Sequence, residues 1–270
     1  MRQSSGLFRR LIFSVTSMLP HQRKGSWQTI PGVVYLVSYP RSGNTWMRYL
    51  LANLLEPGID WNLNSINRII PSVYKDPPDD MVESNPRIVK SHEPFCSDYP
   101  RVIYLYRDGR DVAVSYHDFS QKLEGYQEGL AAFLLDMLQG RLPYGSWQAH
   151  VGSWLFRGSS VVVQGISYEE LFEDTIAVLE RVAEFLDYRW TEKEFKNAIA
   201  KSTLKKHRQD LRRYRKETHW SKGFQGGVKG APGKWREVFD EELNDLYWKY
   251  AGQVAERLGY SKTGGRADAL

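Results

Sequence analysis

Short apolar runs alternate with amphipathic stretches along most of this chain. Val33-Val34-Tyr35-Leu36-Val37 is a continuous apolar run, the pattern of a strand buried on both faces of a parallel sheet. Arg101-Val102-Ile103-Tyr104-Leu105-Tyr106 and Ser160-Val161-Val162-Val163 read the same way, and Arg87-Ile88-Val89-Lys90 is a shorter candidate. Between these runs, apolar residues recur at helical spacing. Met47, Leu50, Leu51, Leu54 and Leu55 form one stripe. Leu171, Val178, Leu179, Val182, Phe185 and Leu186 form a second, and Leu243, Leu246, Tyr247, Tyr250, Val254 and Leu258 a third. Strands alternating with helices predict an α/β fold, a central mostly parallel sheet flanked by helices and joined by right-handed crossovers.

The ends are less regular. Phe8, Leu11, Ile12, Val15, Met18 and Leu19 recur at helical spacing behind Arg9 and Arg10. Ser14, Thr16 and Ser17 interrupt the run and no small-x-small cleavage site follows, so the segment 1–27 reads as an amphipathic helix on the body rather than a signal peptide. No apolar run approaches the roughly 18 residues of a membrane span. The stretch from Lys201 to Lys229 is polar, basic and Gly-rich toward its end, which predicts a long loop or lid. Residues 261–270 read as a frayed tail. The 270 residues then make one domain.

Composition narrows the chemistry only a little. Hydrophobic residues are 41% and charged residues 26%, with a net charge of +5, which excludes disordered and fibrous chains. The mild positive balance suits an anionic ligand and is too diffuse to indicate nucleic acid. Cys96 is the single cysteine; it excludes an intrachain disulfide and a Cys-rich zinc site, and fits a reducing, cytoplasmic setting.

The strongest local signal follows the first strand: Ser38-Tyr39-Pro40-Arg41-Ser42-Gly43-Asn44-Thr45-Trp46. A buried strand, a Gly-containing turn and an amphipathic helix in succession aim backbone N–H groups and the positive helix end at one spot, a P-loop-like anion site. Arg41 adds a fixed cation, and Ser42, Asn44 and Thr45 add short donors. Gly-x-x-x-x-Gly-Lys-Ser/Thr is absent and no carboxylate for magnesium stands out, which counts against the alternative of a P-loop nucleotide kinase. An ordinary capped turn is the plainer reading of Ser-Gly-Asn alone.

Tyr39-Pro40-Arg41-Ser42-Gly43-Asn44-Thr45-Trp46 resembles the 5′-phosphosulfate motif of the cytosolic-type sulfotransferases, Tyr-Pro-Lys-Ser-Gly-Thr-Thr-Trp, which use 3′-phosphoadenosine 5′-phosphosulfate (PAPS). Arg41 and Asn44 depart from that form, and Arg is not a plain substitute for Lys. Three further segments agree in order. Arg107-Asp108-Gly109-Arg110-Asp111-Val112-Ala113-Val114-Ser115 resembles the 3′-phosphate segment, with Arg107 and Ser115 at its contact positions. Lys90-Ser91-His92 matches the Lys-x-His that carries the family's catalytic base. Val228-Lys229-Gly230-Ala231-Pro232-Gly233-Lys234-Trp235 resembles Arg-Lys-Gly-x-x-Gly-Asp-Trp, with Val228 in place of the Arg; Lys222, Arg212, Arg213 or Arg215 could stand in for it.

The resemblance spans roughly residues 30 to 260 and implies a set of roles. His92 takes a proton from the acceptor. Arg41 and the N–H groups of Gly43 to Thr45 hold the 5′-phosphosulfate, with Lys90 at the transferring sulfonate. Arg107, Ser115, Lys229 and Gly230 hold the 3′-phosphate, and Trp46, Tyr168 and Ser202 the rest of the nucleotide. It implies PAPS as cosubstrate, no metal, a small-molecule acceptor, no nucleic acid and no stable membrane insertion, and it is compatible with a homodimer. The other histidines (His21, His117, His150, His207, His219) lack a motif context. A catalytically silent nucleotide-binding module is the remaining alternative, against which the intact Lys90-x-His92 speaks. Acceptor-pocket loops fall at 61–81, 123–147 and 201–225, and their aromatics (Trp61, Tyr74, Tyr126, Phe133, Tyr144, Trp147) suggest an apolar or ring-bearing acceptor.

Overall fold

The computed structural model describes residues 32–266 apart from 159, 204, 208, 211–212 and 214–229, and apart from the side chain of residue 123. The N-terminal segment, most of the basic stretch, Val228 and Lys229 therefore lie outside the described residues, as do Lys222, Arg212 and Arg215.

Among the described residues, four strands make the sheet: β1 (Val34–Ser38), β2 (Ile88–Ser91), β3 (Arg101–Tyr106) and β4 (Val162–Ser167). Their order is β2-β1-β3-β4 and every pairing is parallel. The two central strands carry the two longest apolar runs among the four strands, since only they have strands on both sides. β1 shows the alternation of a strand between two cores. Tyr35 and Val37 enter one core with Val102 and Tyr104, while Val34 and Leu36 enter the other with Ile103 and Leu105.

Helices cover both faces. On one side lie α1 (Asn44–Leu55), α6 (Thr175–Phe185) and α7 (Glu192–Lys201). On the other lie α2 (Gly109–Phe119), α3 (Leu130–Leu138), α4 (Trp147–Leu155) and α8 (Glu241–Arg257). The short α5 (Tyr168–Glu173) follows β4 directly. The apolar stripe predicted as one helix from Leu171 to Leu186 is two, because Asp174 ends α5 and its side chain then accepts from Ala177 N (3.0 Å) to cap α6. β4 also starts later and runs further than its valines suggest. It is an edge strand with Val162 56% exposed, so its outer half does not need apolar residues.

The tail predicted to fray is tied down as far as residue 266. Arg110, fully buried, donates to the carbonyls of Ser261, Lys262 and Gly264 at 2.9–3.0 Å. Arg266 reaches back to Ser167 Oγ (2.6 Å) and to the Glu170 carboxylate. Among the described residues, no helix is long and apolar enough to cross a membrane.

Parallel pairing puts all four strand C-termini at one edge. The residues that follow them are Tyr39, His92, Arg107 and Tyr168. Ligands of open α/β sheets bind at this carboxyl edge, so the topology gathers four separate motifs without further folding constraints.

Candidate active site

The turn after β1 forms the floor. Gly43 caps α1 with φ +98°, and Arg41 also has positive φ, +70°. The first bond of the helical ladder runs from Met47 N to Gly43 O (3.1 Å), so the amides of Asn44, Thr45 and Trp46 precede it and face outward at the positive helix end. A Cβ on Gly43 would stand 2.7 Å from Tyr168 Cδ2, so only glycine allows the Tyr168 ring to close over the turn. The Asn44 side chain faces the other way: its Nδ2 donates to Leu36 O and Ser38 Oγ, both at 3.3 Å. Its contribution to an anion is therefore its backbone N–H, not the side-chain donor the sequence suggested.

Arg41 and Arg107 lie close to each other beside this floor, while Lys90 lies nearer His92 and Arg48. Arg41 Nε donates to Ser115 Oγ (3.2 Å), and its guanidinium lies 4.9 Å from the Phe119 ring centre. The residue expected at the 5′-phosphosulfate thus touches one expected at the 3′-phosphate. Burial, helped by Arg107 nearby, lowers the Arg41 pKa to about 10, which leaves it charged at neutral pH. Arg107 is 8% exposed, stacks 4.3 Å from the Tyr168 ring centre and bonds Asp111 Oδ2 at 3.3 Å. Burial, with Arg48 and Lys75 nearby, lowers Lys90 to about 7; its ammonium lies 5.3 Å from the Tyr74 ring centre.

Several polar atoms here are buried with no hydrogen-bond partner among the described residues, including Ser42 Oγ and Arg107 Nε. Buried polar groups are rarely left so. With the outward amides and the buried cations, they fit a polyanionic ligand.

His92 follows β2. Its Nδ1 lies 2.7 Å from Ser38 O and 3.3 Å from Ser38 Oγ. A carbonyl only accepts, so Nδ1 carries the proton and the Nε2 lone pair is left as a base. Burial and the charge of Lys90 push His92 well below its ordinary pKa, so it is neutral at physiological pH. Its backbone is held at both ends: its N–H donates to Tyr74 OH (3.0 Å), and its carbonyl accepts from His150 Nε2 (3.0 Å). His150 Nδ1 in turn accepts from Tyr104 OH at 2.8 Å. His150 had no motif context in the sequence; its role is visible only through tertiary contact. The Tyr144 ring lies 5.6 Å from that of His92. Of the six aromatics proposed for an acceptor pocket, Tyr74 and Tyr144 reach His92 while packing in or against a core, whereas Trp61, Phe133, Trp147 and Tyr126 are buried in the cores with no contact to His92 among those described.

The remaining predicted residues divide. Tyr168 donates to Gly230 O (2.5 Å) and packs edge-on to Trp46 (5.8 Å between ring centres), which joins the turn, α5 and the Gly230 loop. Ser202 is buried at the end of α7, and its Oγ accepts from Asn53 on α1 (3.3 Å). This ties it to α1, the helix whose first turn carries Asn44, Thr45 and Trp46.

A family model described as a sulfotransferase domain matches residues 31–259. The chain belongs to the sulfotransferase family. Membership makes it a PAPS-dependent sulfotransferase by reaction class. The guinea-pig (Cavia porcellus) 3-beta-hydroxysteroid sulfotransferase is 30% identical over 78% of this chain and 80% of its own length. Mouse sulfotransferase 1B1 is 29% identical over 62% of each chain. Among solved structures, mouse sulfotransferase SULT7A1 complexed with PAP has a TM-score of 0.67 at 20% identity, covering 91% of this chain and 92% of that one. A retinol dehydratase in complex with androsterone and the inactive cofactor PAP has the same TM-score at 22% identity, over 84% and 81%. These likenesses establish for the sulfotransferase the sheet-and-helix architecture described above.

Proposed function

We propose that this sulfotransferase moves a sulfonate group from PAPS to a hydroxyl or amine of a small-molecule acceptor, with His92 as the general base. The observation that carries the assignment is the His92 tautomer. Nδ1–H is fixed on Ser38 O, so the Nε2 lone pair stands at the same strand edge as the anion-binding turn.

Sulfonate transfer resembles phosphoryl transfer, in which charge accumulates on the transferring group and the leaving oxygen, and positioning and electrostatics supply most of the catalysis. His92 Nε2 takes the acceptor proton as the acceptor oxygen or nitrogen bonds to sulfur. The bond from sulfur to the bridging oxygen of the 5′-phosphate breaks, and its electron pair leaves with the phosphate. The outward amides of residues 44 to 46 and the Arg41 guanidinium stabilise that charge. Lys90 meets the sulfonate. Near neutrality in the bare site, it becomes fully charged when an anion arrives beside it. Arg107 and Ser115 hold the 3′-phosphate, with Gly230 beside them; Lys229 belongs to the same group by resemblance. Trp46 and Tyr168 bound the nucleotide.

Tyr74 and Tyr144 beside His92 favour an acceptor with an apolar or ring-bearing body. The steroid named for the guinea-pig relative and the androsterone in the retinol dehydratase complex have that character. The lone, buried Cys96 favours a reducing, cytoplasmic site of action. The test is a screen with radiolabelled PAPS over phenols, steroidal alcohols, aliphatic alcohols, amines and sugars. Label transfer to at least one ring-bearing hydroxyl or amine is expected. Transfer confined to sugars would contradict the acceptor class, and no transfer to any would contradict the activity.

A further inference from the structure

Asp111 lies in the first turn of α2, four residues past Arg107, and its side chain is 1% exposed. Its carboxylate is shared three ways. Oδ2 bonds Arg107 Nη2 (3.3 Å) and accepts from Gly233 N (2.7 Å); Oδ1 accepts from Trp235 N (2.9 Å). The same loop is fastened a second time where Gly230 O accepts from Tyr168 OH at 2.5 Å. Tyr168 and Asp111 are also the two groups that bracket Arg107, the ring at 4.3 Å and the carboxylate by an ion pair. The Gly230–Trp235 loop and the Arg107 guanidinium are thus referenced to the same two side chains.

A carboxylate next to an anion site is ordinarily a liability, since it repels the anion and neutralises the cation meant to hold it. Here two backbone N–H groups absorb much of the Asp111 charge. One guanidinium N–H of Arg107 is spent on it. Arg107 Nε is buried with no partner among the described residues. A guanidinium has five donors in a rigid fork, so holding one edge orients the remainder for bidentate contact with a phosphate.

We infer that Asp111 is a positioning residue that registers the Gly230–Trp235 loop against Arg107 and so sets the preference for a nucleotide bearing a second phosphate. The inference rests on the proposed PAPS-dependent function. Asn at this position keeps the volume and one acceptor, but presents N–H to Gly233 N or to Trp235 N, and either arrangement breaks one loop contact.

The experiment is calorimetric binding of adenosine 3′,5′-bisphosphate and of adenosine 5′-monophosphate to the full chain, for wild type and Asp111→Asn, together with initial rates. Wild type is expected to prefer the bisphosphate. The variant should lose about tenfold of that preference, the scale of one charge-assisted hydrogen bond, with monophosphate affinity within about twofold. KM for PAPS should rise by the same factor with kcat nearly unchanged. An undiminished preference, or equal weakening of both nucleotides, would overturn the role of Asp111 alone. Equal binding of the two nucleotides by wild type would overturn the reading of the site itself. Should the variant fold poorly, amide exchange in wild type gives the same answer: Gly233 and Trp235 should gain protection with the bisphosphate and not with the monophosphate, and identical protection by both would overturn the inference.

Discussion

Gly43→Ala probes the cradle at its tightest point. The backbone there has φ +98°, and a methyl group would stand 2.7 Å from Tyr168 Cδ2 and 3.2 Å from Cε2. The conformational cost of a non-glycine residue in the left-handed region is about 1–2 kcal/mol. The clash adds to it, because the ring is not free to swing away. Its hydroxyl bonds Gly230 O and its face carries the Arg107 guanidinium. Displacing it forfeits a hydrogen bond of about 1 kcal/mol and a cation–π contact of about 0.5–1 kcal/mol. The total is about 2–4 kcal/mol. At about 2–4 °C per kcal/mol for a domain of this size, Tm should fall by about 5–15 °C. Bisphosphate affinity should also drop, because Arg107 loses its stacking partner. Differential scanning calorimetry and nucleotide titration read the two effects. Tyr168→Leu in the Gly43→Ala background separates them, since it relieves the clash and leaves the dihedral cost. A Gly43→Ala protein that melts within about 1 °C of wild type and binds nucleotide normally would refute the reasoning.

Three more outcomes follow from the site. Burial holds Lys90 near 7 in the bare site, and an anion beside it must raise that value, so nucleotide binding at pH 8 should take up protons; calorimetry in two buffers of different ionisation enthalpy measures the uptake, and release instead would contradict the placement of Lys90. Arg41→Lys should retain most of the turnover while Arg41→Ala loses about 10²–10³ in kcat, as when one preorganised donor is removed; equal losses in steady-state assays would mean that the guanidinium geometry, rather than its charge, is what matters. His92 is displaced well below its ordinary pKa and acts unprotonated, so kcat/KM for the acceptor should stay level as pH falls through 6.5 and decline only below it; a limb centred at or above 6.5 would contradict the buried neutral imidazole.

Much of this arrangement is legible in the sequence because the sheet is parallel. β1 and β3 are buried on both faces, so they appear as unbroken apolar runs, and the motif residues follow directly at their carboxyl ends. The apolar run stops short of the true β4 because half-exposed Gln164 and Gly165 interrupt it at the sheet edge. The break at Asp174 leaves no mark in the pattern because the apolar stripe continues in phase across it. His150 carries no local signal because its contact is with a carbonyl 58 residues away, which no local pattern encodes. The same holds for Asp111, whose loop partners are more than 120 residues distant. The tail beyond Tyr260 carries no apolar pattern that would anchor it, yet its backbone carbonyls are what Arg110 binds. Aromatic content is too high to sort by sequence; packing alone brings Tyr74 and Tyr144 to His92 and leaves Trp61 and Phe133 without a contact to it among those described.

The most direct measurement is single-turnover transfer of labelled sulfonate from PAPS to the best acceptor of the screen, with wild type and His92→Ala at saturating nucleotide, alongside calorimetric binding of the bisphosphate to both. Wild type should transfer label. His92→Ala should bind the bisphosphate within about threefold of wild type, because the proposed role of the imidazole is toward the acceptor rather than the nucleotide, and should transfer about 10²–10⁴ more slowly, the usual contribution of a positioned general base. Transfer at near wild-type rate by His92→Ala would contradict the assignment of the base, and wild-type protein that binds the bisphosphate yet transfers nothing would mark the chain as a silent nucleotide-binding module.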